Sequence, residues 1–316
     1  MDRQHNEAQQ EAHNRTSHDH SAAWPVLSLG DRLMQAKQVV MNPFSLKFLD
    51  PTRPGPSVGA EAADPWSHVA RRSSINEAEA VELRYPNYRR IRIMVNPTMR
   101  LFMRLRMRGL HHVPRRGPVI LAANHLSHVD PVMVIMASRR KAHYLAKDGH
   151  FESGPRRWLM RATGQIETNR ESGAQDALES AVALLRAGRA VGIFPEGTRS
   201  KRTEAPFLLE AKTGVARLAS SVPEATVVPV ALQGTREMMT PSDHALPRLW
   251  RPVHIHIGAG ISWRSWLSHP DGGAMSDADV EALGALDDAE LRARVGTLHR
   301  RFTNQLMASL RHLGAP

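Results

Sequence analysis

The sequence contains no cysteine. A disulfide framework, a thiol nucleophile and a Cys-ligated metal site are therefore excluded, and the absence fits a reducing compartment. Long apolar runs are missing too. No stretch approaches the roughly 18 residues needed to cross a bilayer, and Met1 to Ser21 has no apolar segment of signal-peptide type. Aromatic residues make up only 5% of the chain, and no groove-reading motif accompanies its arginines, so no nucleic-acid partner is expected. Acidic residues are absent from one long segment. Between Leu83 and Val129 there is no Asp or Glu, while Arg84, Arg89, Arg90, Arg92, Arg100, Arg104, Arg106, Arg108, Arg115 and Arg116 contribute ten of the net +11 charges. Something anionic is expected to meet this segment, either a membrane surface or a phosphorylated substrate.

What is present suffices for a globular core: 316 residues, 41% of them hydrophobic. That length suits one large α/β domain with extensions, or two small domains. Residues 1–82 read as a poorly ordered N-terminal extension with a possible short helix at 31–41, and the prolines Pro51, Pro54, Pro56 and Pro65 mark 51–75 as linker. Residues 83–112 read as a basic, amphipathic, membrane-proximal segment, 113–270 as an α/β domain and 271–316 as a C-terminal helical region. Within 113–270, apolar runs at Val119–Ala123, Ala142–Ala146, Gly164–Thr168, Ala190–Phe194, Thr226–Leu232 and Val253–Ile257 predict strands. Helical periodicity covers Val132–Ser138, Arg156–Ala162, Ala174–Ala187, Leu208–Ser220 and 287–313. Strands alternating with helices predict a mostly parallel central sheet flanked by helices.

The basic segment supports two readings. Projected on a helix, Met99 to Arg108 places Arg100, Arg104 and Arg108 in one stripe, opposite Met99, Leu101, Phe102, Met103 and Leu105. Such a helix lies at a membrane interface or packs on the core with its arginines solvated. Leu105 to Leu110 also alternates as a strand does.

Two polar clusters follow buried strands. Asn124-His125-Leu126-Ser127-His128-Val129-Asp130-Pro131 opens from the run ending at Ala123, with Asp130 placed to cap the next helix and Pro131 at its first position. Asp130 can fold back onto His125 across the loop, giving a general base with its orienter. Phe194-Pro195-Glu196-Gly197-Thr198-Arg199-Ser200 follows the run ending at Phe194 and offers a Gly-containing turn with an Arg fork for phosphate. Two further predicted strands lead into Lys147 and Arg170. Carboxyl ends converge in an open parallel sheet, so His125, Lys147, Arg170 and the Glu196–Arg199 turn are expected at one ligand site. His125-x-x-His128 has no evident third ligand, so no metal is expected.

In order, N-H-x4-D-P, Lys147, Gly164 to Arg170, F-P-E-G-T-R-S and Val228-Pro229-Val230 resemble the four-block signature of glycerolipid acyltransferases, closest to bacterial 1-acyl-sn-glycerol-3-phosphate acyltransferases. Ala211-Lys212-Thr213-Gly214 resembles the helix after the third block. The likeness spans roughly residues 105–260. It implies an O-acyltransferase of phospholipid biosynthesis, moving a fatty acyl chain from acyl-CoA, or acyl-carrier protein, to the hydroxyl of lysophosphatidic acid. His125 would be the catalytic base and Asp130 its orienter. Lys147, Arg170, Glu196, Gly197, Thr198 and Arg199 would hold the acceptor, and Pro229 would shape the site. No cofactor beyond acyl-CoA as co-substrate is implied. The partners implied are a lysophospholipid and an anionic membrane surface, with the protein cytoplasmic and peripheral on the inner face of the cell membrane. Absence of a G-x-S-x-G elbow agrees with direct transfer. Glu167 departs from the second block, where an apolar residue or Pro is usual, and so bears on which lysolipid or glycolipid is the acceptor. A non-catalytic anionic-lipid-binding protein is the alternative from another class.

Overall fold

A computed structural model of the chain describes residues 65–75, 103–147, 166–168, 173–240 and 247–316, with the backbone alone at 145–147, 166–168 and 173–174. Its strands are β1 Leu105–Arg108, β2 Val119–Ala123, β3 Ala142–Lys147, β4 Ile166–Thr168, β5 Ala190–Ile193, β6 Thr226–Gln233, β7 Val253–Ile257 and β8 Ile261–Ser262. They form one sheet in the order β1-β7-β6-β2-β5-β3-β4, with β8 paired to β6. The pairs β2·β5, β2·β6, β3·β5, β3·β4 and β1·β7 are parallel, while β6·β7 and β6·β8 are antiparallel. The helices are α1 Pro65–Ser73, α2 Asp130–Ala137, α3 Gly173–Arg186, α4 Gly214–Ser221, α5 Thr235–Met238, α6 Trp263–Ser268, α7 Asp277–Ala285 and α8 Asp288–His312.

β2 explains why its sequence is an unbroken apolar run. All five of its residues are buried. Alternate side chains point to opposite faces of a strand. Val119, Leu121 and Ala123 enter a core with α2 residues Met133, Val134 and Met136. Ile120 and Ala122 enter the other core, with Val182 and Leu185 of α3, Leu218 of α4 and Phe302 of α8. A strand covered on both faces has no place for polar residues until it ends, and there the chemistry begins. α8 is held at its start by Asp287, whose carboxylate accepts from the amides of Ala289 and Glu290, and its buried stripe Leu291, Val295, Phe302 and Leu306 lies on the same sheet face.

Four expectations are corrected. First, residues 65–73, read as linker, form α1. Pro65 occupies a helix start, where its missing amide costs nothing, and Trp66 and Val69 share one buried face. The Trp66 indole donates to Ser220 O at 2.9 Å, and Arg72 donates to Gly284 O and Leu286 O at 2.8 Å each. The remainder of 1–82 lies outside the described residues, as does the 31–41 helix. Second, Arg106 and Arg108 lie on a strand and Arg104 just before it, not on a helix. Arg104, Arg106 and Arg108 are exposed and Leu105 and Met107 half-buried, the period of two that competed with the helical reading. Arg100 lies outside the described residues. Because β1 joins the sheet, the expected boundary at 112/113 cuts through the domain. Third, the helix expected from Leu208 begins at Gly214. Leu208 and Ala211 are buried against Ala231, Met307 and Leu310, so their apolar spacing serves loop packing. Fourth, Asp130 does not cap α2: the N-cap is Val129 and makes no side-chain bond. The Arg156–Ala162 helix lies outside the described residues.

Candidate active site

The loop after β2 is fixed by its first residue. Asn124 is buried; its amide nitrogen donates to Leu232 O at 3.0 Å and its oxygen accepts from Leu232 N at 2.7 Å. This continues the β2·β6 ladder one residue past the strand by means of a side chain. His125 therefore emerges at a defined height above the sheet. Asn124 stands in the motif as a neighbour of His125, but nothing in its spacing marks it as the clamp.

Asp130 then folds back. Its Oδ2 lies 2.9 Å from His125 Nδ1 and accepts from the amides of Leu126 and Ser127 at 2.6 Å each. The carboxylate has no exposed surface, while 16% of the His125 side chain is open. An ionised carboxylate only accepts, so this pairing places the proton on Nδ1 and leaves Nε2 as the basic nitrogen. The imidazole is stacked on Phe194, centroids 3.9 Å apart and planes 11° from parallel. The ring is thus held at one edge by a carboxylate and on one face by an aromatic side chain.

Phe194 opens the second cluster, at the end of the strand next to β2. Gly197 adopts φ 70°, a left-handed conformation that costs a residue with a Cβ; that turn returns Gly197 N to Phe194 O at 2.9 Å. A Cβ on Gly197 would also sit 3.3 Å from Lys212 Cδ. Lys212 thereby adds a cation beside the turn that the sequence placed only in a following helix. Ser200 N donates to His125 O at 3.0 Å and Lys212 N to Pro195 O at 2.8 Å, tying the two clusters and the 206–213 loop together.

Glu196, expected among the acceptor-holding residues, is turned inward. It is 2% exposed; Oε1 accepts from His125 N at 2.7 Å and Oε2 from Leu209 N at 2.8 Å. It positions the His125 backbone rather than facing a ligand. Burial pushes its carboxyl up to about 7, helped by the nearby Asp130 and opposed by the two amides and Arg202. Raised from an ordinary 4.5, this carboxyl binds its proton more tightly in the folded chain. Linkage then makes folding stability fall as pH rises from about 4.5 to about 7 and level off above, a loss of roughly 3 kcal/mol in all. Glu196→Gln removes the titration. Its thermal unfolding, followed across that pH window, is expected to lack the wild-type slope.

Of the other expected site residues, Thr198 is exposed and Arg199 half-buried. Arg199 donates to Nε2 of His128, and burial lowers the proton affinity of its guanidinium against the pull of Asp130. It stands between the two clusters as a fork for an anion. Lys147 is the last residue of β3, paired with Thr168 of β4; its side chain, like that of Glu167, is outside the described atoms. Arg170 lies outside the described residues. Pro229 pairs with Ala122 in the β2·β6 ladder, below the His125 loop.

Residues 104–233 match the family model described as Acyltransferase. A chloroplastic 1-acyl-sn-glycerol-3-phosphate acyltransferase of Arabidopsis thaliana is 30% identical over 147 residues, 44% of this chain and 38% of that protein. A 1-acyl-sn-glycerol-3-phosphate acyltransferase of Borreliella burgdorferi is 27% identical over 150 residues, 47% of this chain and 58% of that one. The match thus spans less than two thirds of these relatives' lengths. The crystal structure of a 1-acyl-sn-glycerophosphate acyltransferase from Thermotoga maritima aligns at 20% identity with a TM-score of 0.43, covering 71% of this chain and 84% of that one. The stretch from β1 to the end of β6 is thus the part of this chain that matches the acyltransferase family model.

Proposed function

We propose that the chain is an O-acyltransferase that forms phosphatidic acid from lysophosphatidic acid and acyl-CoA. The observation that carries this reading is the His125–Asp130 pair, with Nε2 left basic at the carboxyl end of β2. In the proposed step His125 Nε2 takes the proton of the acceptor hydroxyl as its oxygen attacks the thioester carbonyl. The tetrahedral intermediate collapses, the carbon–sulfur bond breaks, and the imidazolium returns its proton to the departing thiolate. An ester and a free thiol result, with no net proton change. Asp130 stabilises the imidazolium throughout. Arg199, Lys147, Arg170 and Thr198 are assigned to the acceptor's phosphate, with Gly197 letting backbone approach it. No group in this scheme is acylated, which suits a chain without cysteine.

The test is thiol release from acyl-CoA by the purified protein, with lysophosphatidic acid and then a panel of other lysolipids. Turnover with lysophosphatidic acid is expected. Turnover confined to another lysolipid would move the acceptor while keeping the chemistry. No release with any acceptor, from folded protein given either CoA or carrier-protein donors, would overturn the reading in favour of a binding protein.

A further inference from the structure

Among the described strands β1 lies at the edge of the sheet, and arginine occupies its exposed positions and the residue just before it. Arg104, Arg106 and Arg108 are all exposed, and alternate residues on a strand are about 7 Å apart. Their neighbours across the β1·β7 ladder are also basic: Arg106 pairs with His254 and Arg108 with His256. The local field is strong enough that Arg106, His256 and Arg108 lower the proton affinity of His254, second only to its burial. No carboxylate occurs in the described stretches that build this edge, 103–129 and 247–270. Edge strands commonly carry charge to prevent strand-to-strand aggregation. That role does not account for what lies beside this one.

Trp250, in the turn leading into β7, is 66% exposed and is the exposed large hydrophobic residue among those described. Arg251 beside it is exposed as well. The turn is joined to the candidate active site by a short relay. Arg248 N donates to Met238 O at 2.8 Å, and the adjacent Met239 O accepts from Ser127 Oγ at 2.6 Å. Ser127 belongs to the loop that carries His125. The sheet register gives the same placement. His254 pairs with Gln233 of β6, one residue beyond the Leu232 that Asn124 clamps. Arg106 therefore stands level with the His125 loop, three strand spacings away, or about 14 Å.

An exposed indole among arginines, on one edge and level with the catalytic loop, has the chemistry of an interfacial anchor. Tryptophan settles at the headgroup layer, where its ring is half apolar and its N–H finds water; guanidinium groups pair with phosphate in two parallel hydrogen bonds. We propose that the β1–β7 edge, through Trp250, Arg251, Arg104, Arg106 and Arg108, is the surface by which this domain settles on an anionic phospholipid layer. Docked this way, the rim holding His125 faces the layer from which an amphiphilic acceptor enters. The proposal deepens the acyl-transfer reading by assigning its membrane contact, but the docking itself needs no turnover.

The experiment is vesicle sedimentation of the full chain, with phosphatidylglycerol mixed into phosphatidylcholine against phosphatidylcholine alone, at low and high salt. Wild type is expected to favour the anionic vesicles and to weaken as salt rises. The triple variant Arg104→Gln, Arg106→Gln, Arg108→Gln is expected to bind them at least tenfold less tightly at low salt, since each basic residue near such a surface contributes roughly fivefold. Trp250→Ala is expected to weaken binding at both salt concentrations. It is also expected to remove the part of the wild-type fluorescence that brominated lipid quenches. Equal binding by wild type and both variants would overturn the proposal, as would indifference of wild type to the anionic lipid. His125→Ala is expected to sediment as wild type does. A failure of acyl transfer and a failure of docking are therefore read separately.

Discussion

His125→Ala is expected to lower turnover by roughly 10²- to 10⁴-fold, the range that a positioned general base contributes, with substrate affinity little changed. The variant should still fold. The imidazole is partly open and its stack on Phe194 accounts for only about 1 kcal/mol. The Asp130 carboxylate keeps two of its three donors, the Leu126 and Ser127 amides, so no buried charge is stranded. The backbone at position 125 also keeps its contacts, since His125 N donates to Glu196 and His125 O accepts from Ser200. Single-turnover thiol release beside thermal unfolding measures both quantities. Full activity in the folded variant would remove His125 as the base. A variant that unfolds would instead show that stacking and pairing hold the loop more strongly than the geometry implies.

The same geometry shows which parts of the site could be read in the sequence. β2 and β7 were legible to the residue because strands buried on both faces, or on alternate positions, write their burial directly into hydrophobic pattern. The His125–Asp130 pairing was legible because both partners sit in one short loop, where spacing constrains geometry. Glu196 was legible as a member of the site but not in its role. Whether a carboxylate faces outward or accepts backbone amides depends on where Leu209 lies, and that is set by the packing of Leu208 and Ala211 against α8, far along the chain. Asn124 was hidden for the same reason, its partner Leu232 lying 108 residues away. The arginines of β1 were misassigned because four residues cannot distinguish a period of two from one of 3.6 when neighbours on both sides are apolar or basic. The sheet decided it: Leu105 and Met107 had a core to enter only as a strand beside β7. α1 failed from the opposite cause, since its two anchoring residues, Trp66 and Val69, are too few to outweigh a proline-rich approach.

Asp130→Asn tests what the carboxylate does beyond holding the loop. Oδ2 takes all three donors, while Oδ1 is buried with no hydrogen-bond partner among the described residues. An Asn side chain can place its oxygen where Oδ2 stands and keep the bonds from Leu126 N, Ser127 N and His125 Nδ1. Its amide nitrogen then occupies the Oδ1 position, unsatisfied, at a cost of roughly 1–3 kcal/mol. The loop survives, and the negative charge is gone. In the proposed mechanism, with it goes the stabilisation of the imidazolium that would form as His125 takes the acceptor's proton, together with the preference for a proton on Nδ1, because a rotated amide can donate to that nitrogen instead. Turnover is therefore expected to fall by about 10²- to 10⁴-fold, while Trp250 fluorescence and vesicle binding stay as in wild type. Asp130→Ala is expected to lose comparable activity and, in addition, to destabilise the chain, since two buried amides lose their acceptor. If Asn preserved turnover while Ala abolished it, Asp130 would be a loop clamp alone, and the charge that makes His125 an effective base would have to be sought in another group at the end of the sheet.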